Sequence, residues 1–572
     1  MDRTAWIVIA LCVIGLVAWE WWAARQVPPR PLTVTASPTA PPLIAGASPS
    51  PAPLVSPLPS ATPAVVESAP SFPEKIETLR NADVELRLTN RGGGISEAVL
   101  LNHVAEGDKR VVLNSPQQVP IGAIIDQPAA PALLEFTPSR DADGSVKFER
   151  LASDGITIRK KFFFPKSDEK KDNFVAELDV DLVNGGAKPY ANAGYFVSLG
   201  SAAPIHAKDY SYFTRIVWCI DGKAKGIDVG WFGGGSGFLG VGQHVAQPYY
   251  QQDLGNMEWA AVSNQFFTTL IAPLTAKANG VWGHRFDIKP EEKMYGLQGA
   301  MRMPAFQLPP GQTYNARFQI YAGPKIYHRL ATLPHNEAEI MDFGIFKLVS
   351  QFLLNFLNLL HGWLGSYGAA ILALTAIIKM VLWPLQGKAN RSMRQMSLLT
   401  PKVQELREKY KDDPTRMNQE VMKLYKEYGI NPVGGCLPMM IQIPIFFGLF
   451  KMLGQAVELR NSHFLWVHDL SQPDTVATLP LLGYSIPINI IPLCMAATQI
   501  WLMAMTPKTG DATQRRVMMF TPLIFLFICY NFAAALALYY TTQNLFSIVQ
   551  FYQNKRQPMP TLEKRSSKRK NR

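Results

Sequence analysis

The 572-residue sequence has little with which to build covalent or metal-centred chemistry. Its five cysteines are Cys12, Cys219, Cys436, Cys494 and Cys529. Four lie in or beside apolar runs and Cys219 stands alone in a large polar-rich region, which excludes a disulfide framework there. No CxxC or Cys/His cluster has zinc spacing, so all five read as small buried hydrophobes. No Walker A, HExxH or GxSxG sequence occurs in a suitable context, and neither a nucleotide, a metal nor another cofactor is expected. Gly235, Gly237 and Gly240 satisfy GxGxxG, but the following "VGQHVAQPYYQQD" has no helical stripe, which leaves a plain glycine loop. His103, His206, His244 and His284 are scattered and read as structural, so the chain is not expected to be an enzyme. Acidic residues are in deficit, 44 against 56 Lys and Arg, giving a net charge of +12. That balance fits nucleic acid, a ribosome or an anionic membrane face. The basic residues flank apolar runs, which favours the orientation of a membrane protein.

Long apolar runs and a proline-rich stretch are abundant instead. "MDRTAWIVIALCVIGLVAWEWWAARQ" (1–26) is apolar from Ala5 to Trp22, close to the ~20 residues that span a bilayer. A signal peptide would end on small residues. The aromatic "WEWW" suits an interfacial belt, and bulky Leu11 before Cys12 argues against a lipoprotein, so an uncleaved anchor is expected. Residues 27–73 are Pro-, Ala- and Ser-rich and read as a tether. From 74 to 335, stretches such as "VELRLTN", "ITIRKKFFF" and "FVAELDVDLV" alternate apolar and polar residues between turn signals, which predicts a large all-β sandwich domain.

Beyond this region the chain reads as a polytopic α-helical membrane protein. An amphipathic helix over 340–362, with Phe346, Val349, Phe352, Leu353 and Phe356 on one face, either lies on the membrane or spans it. A five-helix core over 363–555 has spans at about 364–386, 436–455, 485–505, 517–531 and 533–552, the last two joined by a tight link. With the anchor this makes six transmembrane helices. Lys and Arg crowd 388–430, 506–516 and the tail 556–572, whereas 456–484 holds only Arg460. The charge rule then places both termini in the cytoplasm and the sandwich outside, in the periplasm if there is an outer membrane. Within 388–430, Thr400-Pro401 and Asp413-Pro414 look like helix starts and Gly429 like a stop. Val403, Leu406 and Tyr410 form one stripe and Met417, Val421, Leu424 and Tyr428 another, which predicts a helical hairpin.

Several spans carry polar groups. "ILALTAIIKMVLWPL" sets Lys379 into an apolar run, with Thr375 and Trp383 on the same face. A cation at a bilayer centre costs roughly 2.5–3.5 kcal/mol on insertion scales. Gln442 lies between Pro438 and Pro444, and the last span carries Thr541, Thr542, Gln543, Asn544 and Ser547. Two readings stand for Lys379, snorkelling to the cytoplasmic face or a charge in a hydrated groove. Gln442 and Asn544 either line that groove or hydrogen-bond between helices.

"NPVGGCLPMMIQIPIF", "LLTPKVQELREKYKDDPTRMNQEVMKLYKEYG" and "ALYYTTQNLFSIVQ" resemble the YidC/Oxa/Alb family of membrane protein insertases over about 345–555. The anchor, tether and sandwich resemble its Gram-negative form on weaker strings, "NRGGGISEAVL" and "WAAVSNQFFTTLIAP". The resemblance implies a β-supersandwich in the periplasm and a hydrophilic groove with one positive charge. It implies a role in inserting and folding nascent membrane proteins, alone or with the Sec translocon, in the bacterial inner membrane. By position the charge is Lys379, where the family usually has arginine. Lysine keeps the charge but loses the planar donor fork. The groove would include Thr375, Gln442, Gln543 and Asn544, and a hydrophobic slide Phe446, Phe450, Met518, Phe520 and Phe525. The resemblance assigns the 388–430 hairpin to client capture. The basic tail contacts either anionic membrane lipids or the ribosome. A transporter using Lys379 as substrate counter-charge is the alternative; it predicts inverted repeats, which the five unequal C-terminal spans do not show. A carbohydrate enzyme would need an acid/base pair that the sandwich sequence does not reveal.

Overall fold

A computed structural model describes residues 72–152, 154–165, 173–235, 244–289, 291, 294–430, 437–481, 484–506, 512–556 and 558. The expected anchor and nearly all of the tether, basic tail and GxGxxG loop lie outside them. In the first half, Ile76–Arg80, Val84–Thr89, Gly94–Val104 and Arg110–Leu113 form a four-stranded antiparallel sheet. A thirteen-stranded sheet carries most of the rest of this half, its centre running Ala278–Lys289, Tyr249–Ser263, Phe267–Pro273, Thr313–Pro324, Val175–Asn184, and Tyr190–Asn192 pairs with Phe306–Leu308 in a small sheet of two strands. The period-two pattern places the strands as expected. In "VAELDVDLVN", Ala176, Leu178, Val180 and Leu182 are buried while Glu177, Asp179 and Asp181 face outward. Trp218, Trp259, Trp282, Phe162 and Phe318 fill the interior.

The same period turns Lys160 inward on Ile156–Phe163, beside Phe162. Its Nζ donates to the carbonyls of Gly92, Gly93 and Gly122 at 2.9, 2.7 and 2.9 Å. Each ammonium proton thus has an acceptor, which makes burial of the charge tolerable.

The second half is helical: α1 (Lys347–Leu364), α2 (Tyr367–Leu398), α3 (Thr400–Lys409), α4 (Pro414–Glu427), α5 (Leu437–Leu453), α6 (Ile490–Met505), α7 (Ala512–Cys529) and α8 (Ala534–Lys555). Gly365 at φ +69° ends α1, and the Ser366 side chain caps α2 by accepting from the Ala369 N–H. Among the described residues only α2 is long and apolar enough to cross a membrane, with shorter apolar helices at Met440–Leu453, Ile490–Met505 and Phe520–Cys529. Of the six expected spans the anchor lies outside the described residues, and among the described residues the other five correspond to one long apolar helix and shorter ones.

Four local expectations change. First, α1 turns Leu353, Leu354, Leu357 and Leu360 inward and leaves Phe352 exposed with Leu348 and Trp363. The helix is apolar on two sides, and packing against α2 and α5 selects one of them. Second, α2 continues to Leu398, twelve residues past the expected end of its span at 386. There Arg394 Nη1 donates to the Asn554 carbonyl at 2.7 Å, a cation satisfying the C-terminus of α8. Third, Thr400 is not a cap, because α3 follows α2 so closely that its hydroxyl reaches the Met396 carbonyl. Asp413 does cap α4, accepting from the Arg416 N–H at 3.0 Å. Fourth, the span expected from 485 begins as a strand. Tyr484–Asn489 pairs with Thr475–Leu481, and helix starts only at Ile490. Pro487 biases Ile486 towards extended backbone.

The two halves meet around Arg460. It is 8% exposed, its Nη2 lies 3.0 Å from both the Val104 carbonyl and His206 Nε2, and its guanidinium sits 5.2 Å from the Phe266 and Phe267 rings. Gln265 Nε2 donates to the Gly454 carbonyl at 2.8 Å, and Arg215 pairs with Asp342 at 2.8 Å. The lone arginine of a segment otherwise free of Lys and Arg is therefore a junction residue.

Candidate functional site: a polar seam between helices

On α2, Lys379 follows one turn after Thr375, and both side chains turn away from solvent. Thr375 is spent locally, its hydroxyl donating to the Ile371 carbonyl at 2.7 Å. Lys379 is 9% exposed and donates through Nζ to Ser547 Oγ of α8 at 2.7 Å. Among the described residues this hydroxyl is its one hydrogen-bond partner. Ser547 Oγ in turn donates to the Gln543 carbonyl at 2.9 Å. From α5, Gln442 Nε2 donates to Gln543 Oε1 at 2.9 Å and to Tyr539 Oη at 3.1 Å. Gln550 Nε2, one turn beyond Ser547, donates to the Trp383 carbonyl of α2 at 3.0 Å.

A cavity of about 10 Å³, on the order of one water molecule, is lined by Lys379, Leu382, Leu385, Gln386, Gln442 and Gln550. Lys379, Gln442 and Gln543 therefore come together. Asn544 does not join them: it turns towards α6, where Nδ2 donates to the Met495 carbonyl at 3.3 Å and Thr498 Oγ1 at 3.2 Å. Tyr539, Ser547, Gln550 and Gln386 are additions. The α8 members recur at positions 539, 543, 547 and 550, a helical stripe visible in the sequence but hidden among its other polar residues.

Beside the seam, Phe446 packs against Phe450, Phe525 and Tyr540 with ring centres 6.3, 5.8 and 5.3 Å apart. Phe450 continues to Phe532 at 5.2 Å. Phe520 instead faces outward, 60% exposed, near Leu523, Ile524 and Phe527 on the same helix. The Met518 side chain lies outside the described residues.

Two family models match the chain, one described as the YidC periplasmic domain over residues 77–356 and one as 60Kd inner membrane protein over 359–561. A protein of Cupriavidus necator named membrane protein insertase YidC is 30% identical over 509 residues, 86% of this chain and 85% of that one. The chain belongs to the YidC membrane protein insertase family. A YidC from Nitratidesulfovibrio vulgaris Miyazaki F is 32% identical over 410 residues, 69% of this chain and 68% of the relative. The solved structure titled "Active YidC insertase crystal structure with the first transmembrane domain resolved" is 18% identical, with a TM-score of 0.34 over 85% of this chain and 95% of that one. The two matched regions meet inside α1, which joins the β region to the helical part.

Proposed function

We propose that this chain moves hydrophobic segments of newly made membrane proteins into the bacterial inner membrane, and that the Lys379 seam receives them. The observation that carries this reading is the Lys379–Ser547 contact beside the Gln442–Gln543 bond, a charged and amide-rich line between otherwise apolar helices. No nucleotide-binding sequence accompanies it. The driving force is transfer of client apolar surface into lipid, about 25 cal/mol per Å². The seam lowers the barrier by hydrating the client's polar tail at mid-depth, where lipid offers no hydrogen bonds.

Without a client the seam groups bond to one another across α2, α5 and α8. A client enters by exchanging its own acceptors for these side-chain partners. Acidic tail residues compete best for Lys379, because a carboxylate is a stronger acceptor for ammonium than a hydroxyl. In this reading the outward apolar side chains of α5 and α7, Met440, Phe447, Phe520 and Phe527 among them, form the slide along which the client leaves. The aromatic cluster of Phe446, Phe450 and Phe525 backs that slide. In this reading both termini and the α3–α4 hairpin are cytoplasmic, and the Sec translocon, the ribosome and anionic lipids are partners, a reading supported by the Lys- and Arg-rich segments 388–430, 506–516 and 556–572.

The test is insertion of a client with an acidic translocated tail into vesicles containing Lys379→Ala or Lys379→Arg. The arginine variant retains insertion and the alanine variant loses it, while a client with a neutral tail is less affected. Equal activity of the alanine variant on the acidic client overturns the role of the charge.

A further inference from the structure

The segment between α5 and α6 holds a feature that insertion through the seam does not use. Thr475–Leu481 and Tyr484–Asn489 form a two-stranded sheet of their own. Its base is clamped. Lys208 Nζ donates to Thr475 Oγ1 at 3.1 Å, and Thr475 Oγ1 donates to Asn489 Oδ1 at 2.7 Å. Asn489 Nδ2 donates to the Tyr530 carbonyl and Tyr530 Oη to the Pro487 carbonyl, both at 2.7 Å.

Above this base the hairpin stands free, with Val476, Leu479 and Ile486 exposed by 49, 56 and 43%. A lone two-stranded hairpin is marginal at best in water. This one also carries no charged residue, and none follows until Lys508.

The register sorts its side chains. Leu479 opposes Ile486 and Ala477 opposes Ile488 on one face, while Thr478 opposes Pro487 and Pro480 opposes Ser485 on the other. The first face presents Leu479, Ile486 and Ile488, and the second the Thr478 and Ser485 hydroxyls. Each strand also contains a proline, Pro480 or Pro487, which removes an edge donor and disfavours addition of a third strand from a peptide partner. The second strand runs without a break into α6, whose 16 residues reach only about 24 Å at ~1.5 Å each, short of a ~30 Å hydrocarbon core. The exposed apolar lane continues from Ile486 to Leu493 and Trp501, 43 and 49% exposed. Unpaired strand edges cannot enter the hydrocarbon centre, but they are satisfied at its boundary.

We propose that this hairpin lies flat in the outer-leaflet interface of the bilayer, with its Leu479–Ile486 face towards the acyl chains, and so completes the outer end of α6. The proposal rests on the reading of α6 as a spanning helix.

The test uses the full chain with its native cysteines replaced, in phosphatidylcholine–phosphatidylglycerol vesicles at low protein density. An environment-sensitive fluorophore is placed by Leu479→Cys and, as the α6 control, by Leu493→Cys. Expected is several-fold stronger quenching at Leu479→Cys by lipid carrying a nitroxide at a shallow acyl position than by aqueous iodide. Adding Ile486→Asp should reverse that order while leaving the Leu493→Cys label in lipid. If the Leu479→Cys label is open to iodide while the Leu493→Cys label is quenched from lipid, the hairpin proposal fails and the spanning reading stands. If both are open to iodide, the spanning reading fails as well. Shielding that disappears on further dilution in lipid assigns the face to a second copy and overturns the proposal.

Discussion

Lys160 and Lys379 are both lysines in apolar surroundings, one in each half of the molecule, and their partners differ in kind. Lys160 is 1% exposed and places its ammonium on three backbone carbonyls, with the Phe136 ring 5.3 Å away. Those carbonyls belong to turns at Gly92–Gly93 and Gly122, so the lysine staples three separate pieces of the β region. Lys379 instead holds one serine hydroxyl and borders a small cavity. Backbone acceptors in packed turns cannot leave. A serine on a neighbouring helix can be traded for another acceptor at little cost. A buried cation is structural where its partners are fixed and available for binding where they are exchangeable.

The largest expected effect tests the staple. Lys160→Met leaves three buried carbonyls without their donor and should destabilise the periplasmic domain by several kcal/mol, at about 1–3 kcal/mol for each buried acceptor left unsatisfied. Denaturant unfolding followed by the buried tryptophans reads this directly. A loss under about 1 kcal/mol, the net worth of a single hydrogen bond, would place Lys160 with the exchangeable class.

Lys379→Met should behave in the opposite way. Removing a sparsely bonded buried charge for a similar volume should leave unfolding within about 1 kcal/mol of the parent. Insertion of an acidic-tailed client should nevertheless fall by at least about tenfold, equivalent to ~1.4 kcal/mol in the barrier. Comparable losses of fold and function would erase the contrast between the two lysines.

The junction should lie between these cases. Arg460→Ala removes the contacts to the Val104 carbonyl and His206 and should weaken docking of the β region by about 1–3 kcal/mol. Faster protease cleavage or hydrogen exchange at 204–213, with the β core itself unchanged, is the measurement.

A smaller effect is expected from pH. Burial, reinforced by the Arg460 charge, pulls His103 down to about 4, and its ring lies 5.4 Å from Phe267 at the same junction. The unfolded chain then binds more protons between about 4 and the ordinary histidine value near 6.5. Stability of the β region should therefore be fully present above about 6.5 and weaken as pH falls towards 4, and His103→Gln should flatten that dependence.

The strands of the β region were legible because alternation is a local property: "VAELDVDLVN" sorts its residues by face before any partner is known. Asp413, Pro414 and Gly429 were equally plain, since caps and stops act over a few residues. The buried side of α1 was not legible, because a helix apolar on two sides is settled only by the neighbours it meets. The 475–489 hairpin escaped for a related reason. Its uncharged second strand merges with the apolar run of α6, so a hydropathy reading joins strand and helix into one span.

The sequence by itself determined that the chain divides into an alternating β half and an apolar helical half, and that Lys379 and Gln442 lie within apolar runs. It determined this because periodicity and hydropathy are written residue by residue. Only the tertiary structure decided that Lys379 meets Ser547, that Gln442 meets Gln543 while Asn544 turns to α6, and that Arg460 serves the junction between the halves. Those pairings depend on how helices rotate against one another, and rotation is set by packing between segments far apart in the chain.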